Sequence, residues 1–120
     1  MASELTLAAY LDGRTREAVA LYRNFATIAS ARGRDVSVSV SRTGVEFKRE
    51  RTFARASVQK RQLEIEIDLL RQIEHPALKE TSVSADGVYV NRLAITSTGE
   101  MYTIVDLLQE AYDTVGSKTR

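Results

Sequence analysis

Apolar and polar residues alternate with a period of two in five stretches of this chain. Val36, Val38 and Val40 alternate with Ser37, Ser39 and Ser41. Leu63, Ile65, Ile67 and Leu69 alternate with Glu64, Glu66 and Asp68. Successive side chains of a strand point to opposite sides, so each run reads as a strand with one buried and one solvated face. The remaining runs are Val45–Arg49, with Val45 and Phe47 inward, Thr52–Val58 and Val88–Thr96. Arg42-Thr43-Gly44, Glu50-Arg51 and Gln59-Lys60 supply the turns between the first four strands. The stretch Leu70–Asp86 holds the sole proline, in His75-Pro76, has no clear period and reads as loop.

A different spacing flanks these strands. Ala18, Leu21, Tyr22, Phe25, Ile28 and Ala29 recur at three and four, the apolar stripe of a helix. Asp12 or Thr15 can cap its start, and Gly33 supplies its stop. Met101, Ile104, Val105, Leu108, Ala111, Tyr112 and Val115 form a second stripe, and Ser97 and Glu100 have the spacing of a capping box at its start. The order predicts an α+β fold: an antiparallel sheet of about five strands, with an N-terminal and a C-terminal helix packed on one face. The expected domain spans residues 1–116, with a disordered tail over 117–120.

Composition narrows the classes. A chain of 120 residues, 43% hydrophobic and 28% charged, is an ordinary globular domain. Without cysteine there is no disulfide, thiolate metal site or cysteine nucleophile, and a reducing cytoplasm is the expected setting. No apolar run approaches the roughly 20 residues of a membrane span, and the N-terminus, MASELTLAAYLDG, lacks the basic region of a secretory signal. No membrane partner is expected.

Charge is unevenly spread. Residues 42–61 hold seven Lys/Arg against two Glu, a net of +5, so the rest of the chain carries −4 of the total +1. Lys48, Arg49, Arg51, Arg55 and Arg61 fall on adjacent strands and their turns, and counting register puts Phe53 among them on the outer sheet face.

Tyr10-Leu11-Asp12-Gly13-Arg14 before an alanine-rich helix, Ser41-Arg42-x-Gly44-Val45-x-Phe47, Phe53-Ala54 and Ala111-Tyr112 together resemble an uncharacterised bacterial domain family catalogued as "predicted transport protein". The resemblance runs from about Tyr10 to Gly116. It implies a small α+β domain, found alone or at the end of longer proteins, some with nuclease-like modules. It brings no catalytic residues. Many members carry a histidine on the strand matching Val88–Thr96, where this chain has Asn91 and Arg92. The transport label finds no support in the composition.

Several patterns invite a chemical reading. Asp35 with Glu46-Phe47-Lys48 superficially matches a metal-dependent nuclease. If Val40 faces Val45, however, Asp35 and Glu46 lie roughly 13 Å apart along the strands, too far to share an ion. Glu64, Glu66 and Asp68 line one strand face, but neighbours there are about 7 Å apart, and a cross-strand ion pair with Arg55 opposite Glu64 is the simpler account. His75 precedes Pro76 in a polar loop with no serine or acid placed beside it, and reads as a surface histidine. No glycine-rich phosphate loop is present.

The function expected is therefore that of a small cytoplasmic, non-enzymatic binding or adaptor domain, with no cofactor, no metal site and no catalytic residue assigned. Lys48, Arg49, Arg51, Phe53, Arg55 and Arg61 are the expected partner-binding residues. The partner is an unknown protein or a second copy of the chain, and Phe53, Val88 and Val90 would give the outer face an apolar patch. Nucleic-acid binding through 42–61 is the first alternative, since sheets bearing aromatic and cationic groups hold single strands. A metal-assisted hydrolase using Glu64, Glu66 or Asp68 is the second.

Overall fold

A polar segment that shows no periodicity turns out to be a sixth strand. In a computed structural model describing residues 6–117, the strands are β1 (Ser37–Val40), β2 (Val45–Lys48), β3 (Thr52–Val58), β4 (Leu63–Leu69), β5 (Leu78–Val83) and β6 (Tyr89–Ile95). All neighbours are antiparallel, and the order across the sheet is β1-β2-β3-β4-β6-β5. The β5 sequence, LKETSV, sits at the sheet edge, and only Leu78 packs against the core. Backbone pairing to β6, not an apolar face, holds it, so it carries no alternation to read.

Helices cover one face. They are α1 (Leu7–Leu11), α2 (Arg16–Ser30), α3 (Thr98–Met101) and α4 (Val105–Asp113), with a 3-10 turn at Tyr102–Ile104 between the last two. Thr15 caps α2 by accepting the Ala18 N–H at 3.2 Å, and Phe25 meets Phe47 of β2 edge-to-face at 5.4 Å. Gly33 does follow α2, but its role is spatial: the Tyr112 ring and hydroxyl occupy the place a Cβ would need. The expected C-terminal helix is interrupted where Thr103 Oγ1 donates to the Glu100 carbonyl at 2.6 Å, a side-chain bond that competes with the regular backbone pattern. Its apolar stripe survives, with Met101, Ile104, Leu108 and Ala111 fully buried.

Register decides which side chains reach which face. The first hairpin pairs as its pattern predicts, Val40 with Val45 and Ser39 with Glu46. In the second, Phe47 pairs with Ala54 but Lys48 pairs with Thr52, which leaves Phe53 as an extra residue in β3. Such a bulge breaks the alternation locally, and Phe53 enters the core beside Ala54, fully buried and edge-on to Tyr112 at 5.7 Å. The outer-face position expected for Phe53 is thus corrected. The turn between β3 and β4 is also two residues longer than expected: Val58 pairs with Leu63, and Gln59 N–H donates to the Gln62 carbonyl at 3.0 Å. Arg55 therefore faces Glu66 rather than Glu64.

The segment between β4 and β5 closes the helix side. Ile73 is buried in the core, Arg71 pairs with Glu110 of α4 at 2.8 Å, and His75 Nε2 meets Thr103 Oγ1 at 2.7 Å. Asn91, fully buried on β6, ties this arrangement together. Its Oδ1 accepts from Thr81 Oγ1 at 2.9 Å and from Ile73 N–H at 3.4 Å. Its Nδ2 donates to the Arg71 carbonyl at 3.2 Å, with Ile67 and Tyr89 carbonyls at 3.4 and 3.3 Å. Of the expected tail, Ser117 N–H donates to the Thr114 carbonyl at 3.2 Å; residues 118–120 lie outside the described residues, as do residues 1–5 of the expected domain.

Candidate functional site

With every described helix on one side, the opposite face of the sheet carries side chains of the strands and, near Asp68, of the β5–β6 turn. One row of paired residues crosses it: Glu46 of β2, Arg55 of β3, Glu66 of β4, Arg92 of β6 and Glu80 of β5. Charge alternates at each step, and opposite charges directly across a pair of strands are the favourable arrangement. Arg92 is ion-paired with Glu80. Arg55 turns its guanidinium on Asp68, one row along, with both nitrogen–oxygen distances 2.9 Å, and reaches Glu66 with Nε at 3.5 Å.

Asp68 is the unusual member of this face. It lies outward by strand parity yet is only 4% exposed. Ser84, Asp86 and Val88 from the β5–β6 turn stand around it. Burial pushes its carboxyl up to about 6. The Arg55 guanidinium pulls the other way, and the carboxylates of Glu66, Glu46 and Asp86 add to the rise. Desolvation thus outweighs a two-pronged ion pair, as happens when a partner is shared with another acid.

A cleft of about 280 Å³ opens next to this network, lined by Ser41, Thr43, Glu46, Arg55, Ser57, Glu64 and Glu66 among others. Among the described residues the Glu64 carboxylate has neither a hydrogen-bond nor an ion-pair partner. The face as a whole sets Glu46, Glu64, Glu66, Asp68 and Glu80 against Lys48, Arg55 and Arg92, so it is acidic on balance.

The basic segment does not gather on it. Lys48 is exposed at one end of β2, and Arg51 is exposed in the following turn. Arg61 lies in the turn beyond the far end of β3, a seven-residue strand of roughly 20 Å. Arg49 faces α4: its Nε meets Asp35 at 3.2 Å, its Nη1 donates to the Tyr112 carbonyl at 3.3 Å, and its guanidinium lies 4.3 Å from the centre of the Tyr112 ring. The Tyr112 hydroxyl donates to the other Asp35 oxygen. These contacts hold the Asp35 carboxyl below its usual range, with the Tyr112 hydrogen bond the first cause, and raise the Tyr112 phenol. Arg49 is thus a tie between the β2–β3 turn and α4. Phe53 is in the core, and Arg55 is engaged by two acids.

The expected apolar patch dissolves for related reasons. Phe53 leaves the face, Val88 is buried, and Val90 is half-buried beside Glu66, Ser82 and Arg92. Among the described residues no group of three or more His, Asp or Glu side chains is placed to hold a metal ion. The features missed from sequence are the buried Asp68 and Asn91. The interruption of the apolar face of β6 at Asn91 was a usable signal; the burial of Asp68 depends on a β5–β6 turn that no periodicity announces.

Residues of the quoted motifs are mostly structural ties. The Tyr10 hydroxyl accepts the Val58 N–H at 2.9 Å, Arg14 donates to the Val58 carbonyl at 3.0 Å, and Thr15 donates to the Lys60 carbonyl at 2.8 Å. Together they fasten the start of the chain to the β3–β4 turn.

Searches of curated proteins and of solved structures find no match to the chain. A family match does exist, and it replaces the "predicted transport protein" family suggested by resemblance. The matching family carries no transport description, and among the described residues no helix is long and apolar enough to cross a membrane. The match runs from residue 7 to residue 115, from the first turn of α1 past the end of α4, so the chain belongs to the family described as Domain of unknown function (DUF5655).

Proposed function

We propose that this domain is a non-enzymatic binding module that takes a cationic segment of a partner protein on the bare face of its sheet. The observation that carries this reading is the cleft between β2, β3 and β4, where Glu64 stands without a partner beside Glu46 and Glu66. A lysine or arginine side chain entering it would meet carboxylates already held in place by strand pairing. Complementary charge speeds encounter and fixes register more than it adds affinity, which suits an adaptor with modest, reversible contacts. Lys48, Arg51 and Arg61, exposed around the rim and the turns, are available for acidic groups flanking such a segment. The absence of cysteine is in keeping with a cytoplasmic setting.

The test is calorimetry with a lysine- and arginine-rich peptide, an acidic peptide and a single-stranded oligonucleotide. The basic peptide is expected to bind, with affinity reduced several-fold by Glu64→Gln and by added salt. Binding of the oligonucleotide alone, lost on combined substitution of Lys48, Arg51 and Arg61, would overturn this reading in favour of nucleic acid.

A further inference from the structure

The two edges of the sheet are differently protected. Edge strands expose unpaired backbone groups and are ordinarily guarded by charge, proline or irregular pairing. β5 is guarded, with Lys79 and Glu80 in the strand and a register shift between Leu78 and Glu80. β1 has none of these devices: residues 36–41 read Val-Ser-Val-Ser-Val-Ser, without charge or proline, and the pairing of residues 37–40 with β2 is regular.

Hydrogen-bond direction shows which groups face outward. Ser41 N–H donates to the Gly44 carbonyl at 2.8 Å. In an antiparallel pair the bonded positions alternate, so Ser39 and Ser37 also direct their backbone groups to β2. Val38 and Val40 therefore direct theirs away from the sheet, and the same alternation carried one residue back gives Val36 that direction. Val38 is 47% exposed, and Val36 and Val40 are half-buried.

We propose that this edge pairs antiparallel with β1 of a second copy, about a two-fold axis through Val38. Residues 36–40 read the same in both directions. Antiparallel pairing centred on Val38 sets Val38 opposite its own copy and Val36 opposite Val40 in both senses. Each of these pairs exchanges both backbone hydrogen bonds. Ser37 falls opposite Ser39 on the outer face, where hydroxyls can bond across the strands. The valines meet on the helix side, covering Val38. Shifting by one residue opposes outward groups to inward ones. Centring on Ser37 or Ser39 loses one of the valine pairs. A two-fold interface needs a patch complementary to itself, and this segment is one. The result is a single continuous sheet through both subunits, independent of what the bare face binds.

The test uses the full chain. Sedimentation or light scattering across a concentration series is expected to show a monomer–dimer equilibrium that high salt does not dissolve, since backbone and valine contacts carry it. Val38→Lys places two like charges at the axis and is expected to abolish the dimer. Cysteine scanning fixes the register without depending on that variant's folding, because the chain has no cysteine of its own. Cα atoms of a hydrogen-bonded pair lie about 5.5 Å apart, within disulfide reach. Val38→Cys is therefore expected to form a covalent dimer under mild oxidation faster than Ser57→Cys on the outer face of β3. A wild-type chain that stays monomeric at its highest attainable concentration would overturn the proposal. So would Val38→Cys linking no faster than Ser57→Cys, or a dimer that Val38→Lys leaves intact while the variant remains folded. Preferential linkage through Ser37→Cys or Ser39→Cys would overturn the register.

Discussion

The two faces of this sheet handle polar groups in opposite ways. On the helix face the buried Asn91 side chain has its hydrogen bonds made, serving the segment after β4, the neighbouring β5 and the carbonyls around it. On the bare face charges are abundant and alternate in sign from strand to strand, Glu46 to Glu80 along one row. Asp68 is the exception, an acid of the bare face that is buried like a residue of the other. The lesson is that strand parity assigns a side but not an environment; the turn folded over a position decides how much water reaches it.

The largest effect that would sharpen this contrast belongs to Phe53. Phe53→Ala should cost about 3–5 kcal/mol of unfolding free energy, read from urea denaturation, because it empties a core site against Tyr112. A cost below about 0.5 kcal/mol, the range of an ordinary surface change, would return Phe53 to the outer face.

Asp68 comes next. Its folded carboxyl titrates near 6 against an ordinary value of 3.8. Between these values the unfolded chain has released the proton and the folded one keeps it, so stability falls as pH rises through this window and levels off above it. A shift of this size corresponds to about 3 kcal/mol. Asp35 and Glu100 have the opposite sign: their carboxyls are lowered, chiefly by Tyr112 and by the Thr96 backbone N–H respectively, and their stabilisation is lost as pH falls. Subtracting the pH profile of Asp68→Asn from that of the wild type isolates the Asp68 contribution; identical slopes would show that the carboxyl is solvated.

Asn91→Ala should cost about 1–3 kcal/mol by leaving buried donors and acceptors unpaired. Amide hydrogen exchange should accelerate first at Ile73 and along β5. The smallest effect is expected at Glu64, where replacement by Gln should change the melting temperature by less than about 2 °C, since surface changes stay within about 0.5 kcal/mol. A large loss there would mean that Glu64 holds the sheet together and is not a binding group.

How far the chain could be read follows the same division. The Leu-Ile ladder of β4 and the stripes of α2 and α4 are legible because burial on one side leaves a period; β1 alternates too, although its Val38 stays exposed. β5 is illegible because an edge strand held by backbone pairing needs none. Phe53 misleads because a bulge is a property of pairing, visible only when Lys48 is seen opposite Thr52. Arg55 was rightly expected to face an acid, but the longer turn shifts it to Glu66. The basic segment does not gather on one face: Arg49 goes to α4, Arg55 to Asp68, and Arg61 to the far end of β3.

Gly116 closes the molecule in time as well as in space. Its carbonyl accepts the N–H groups of both Glu50 and Arg51, at 2.9 and 3.1 Å, so the β2–β3 turn is fastened by a residue made after every described helix and strand. On the ribosome the early hairpins can pair as they emerge, but this latch cannot engage until the last turn of α4 has been released. The sheet's first half is therefore built early and locked late. A nascent chain stopped just short of Gly116 should hold the hairpins and lack the clasp.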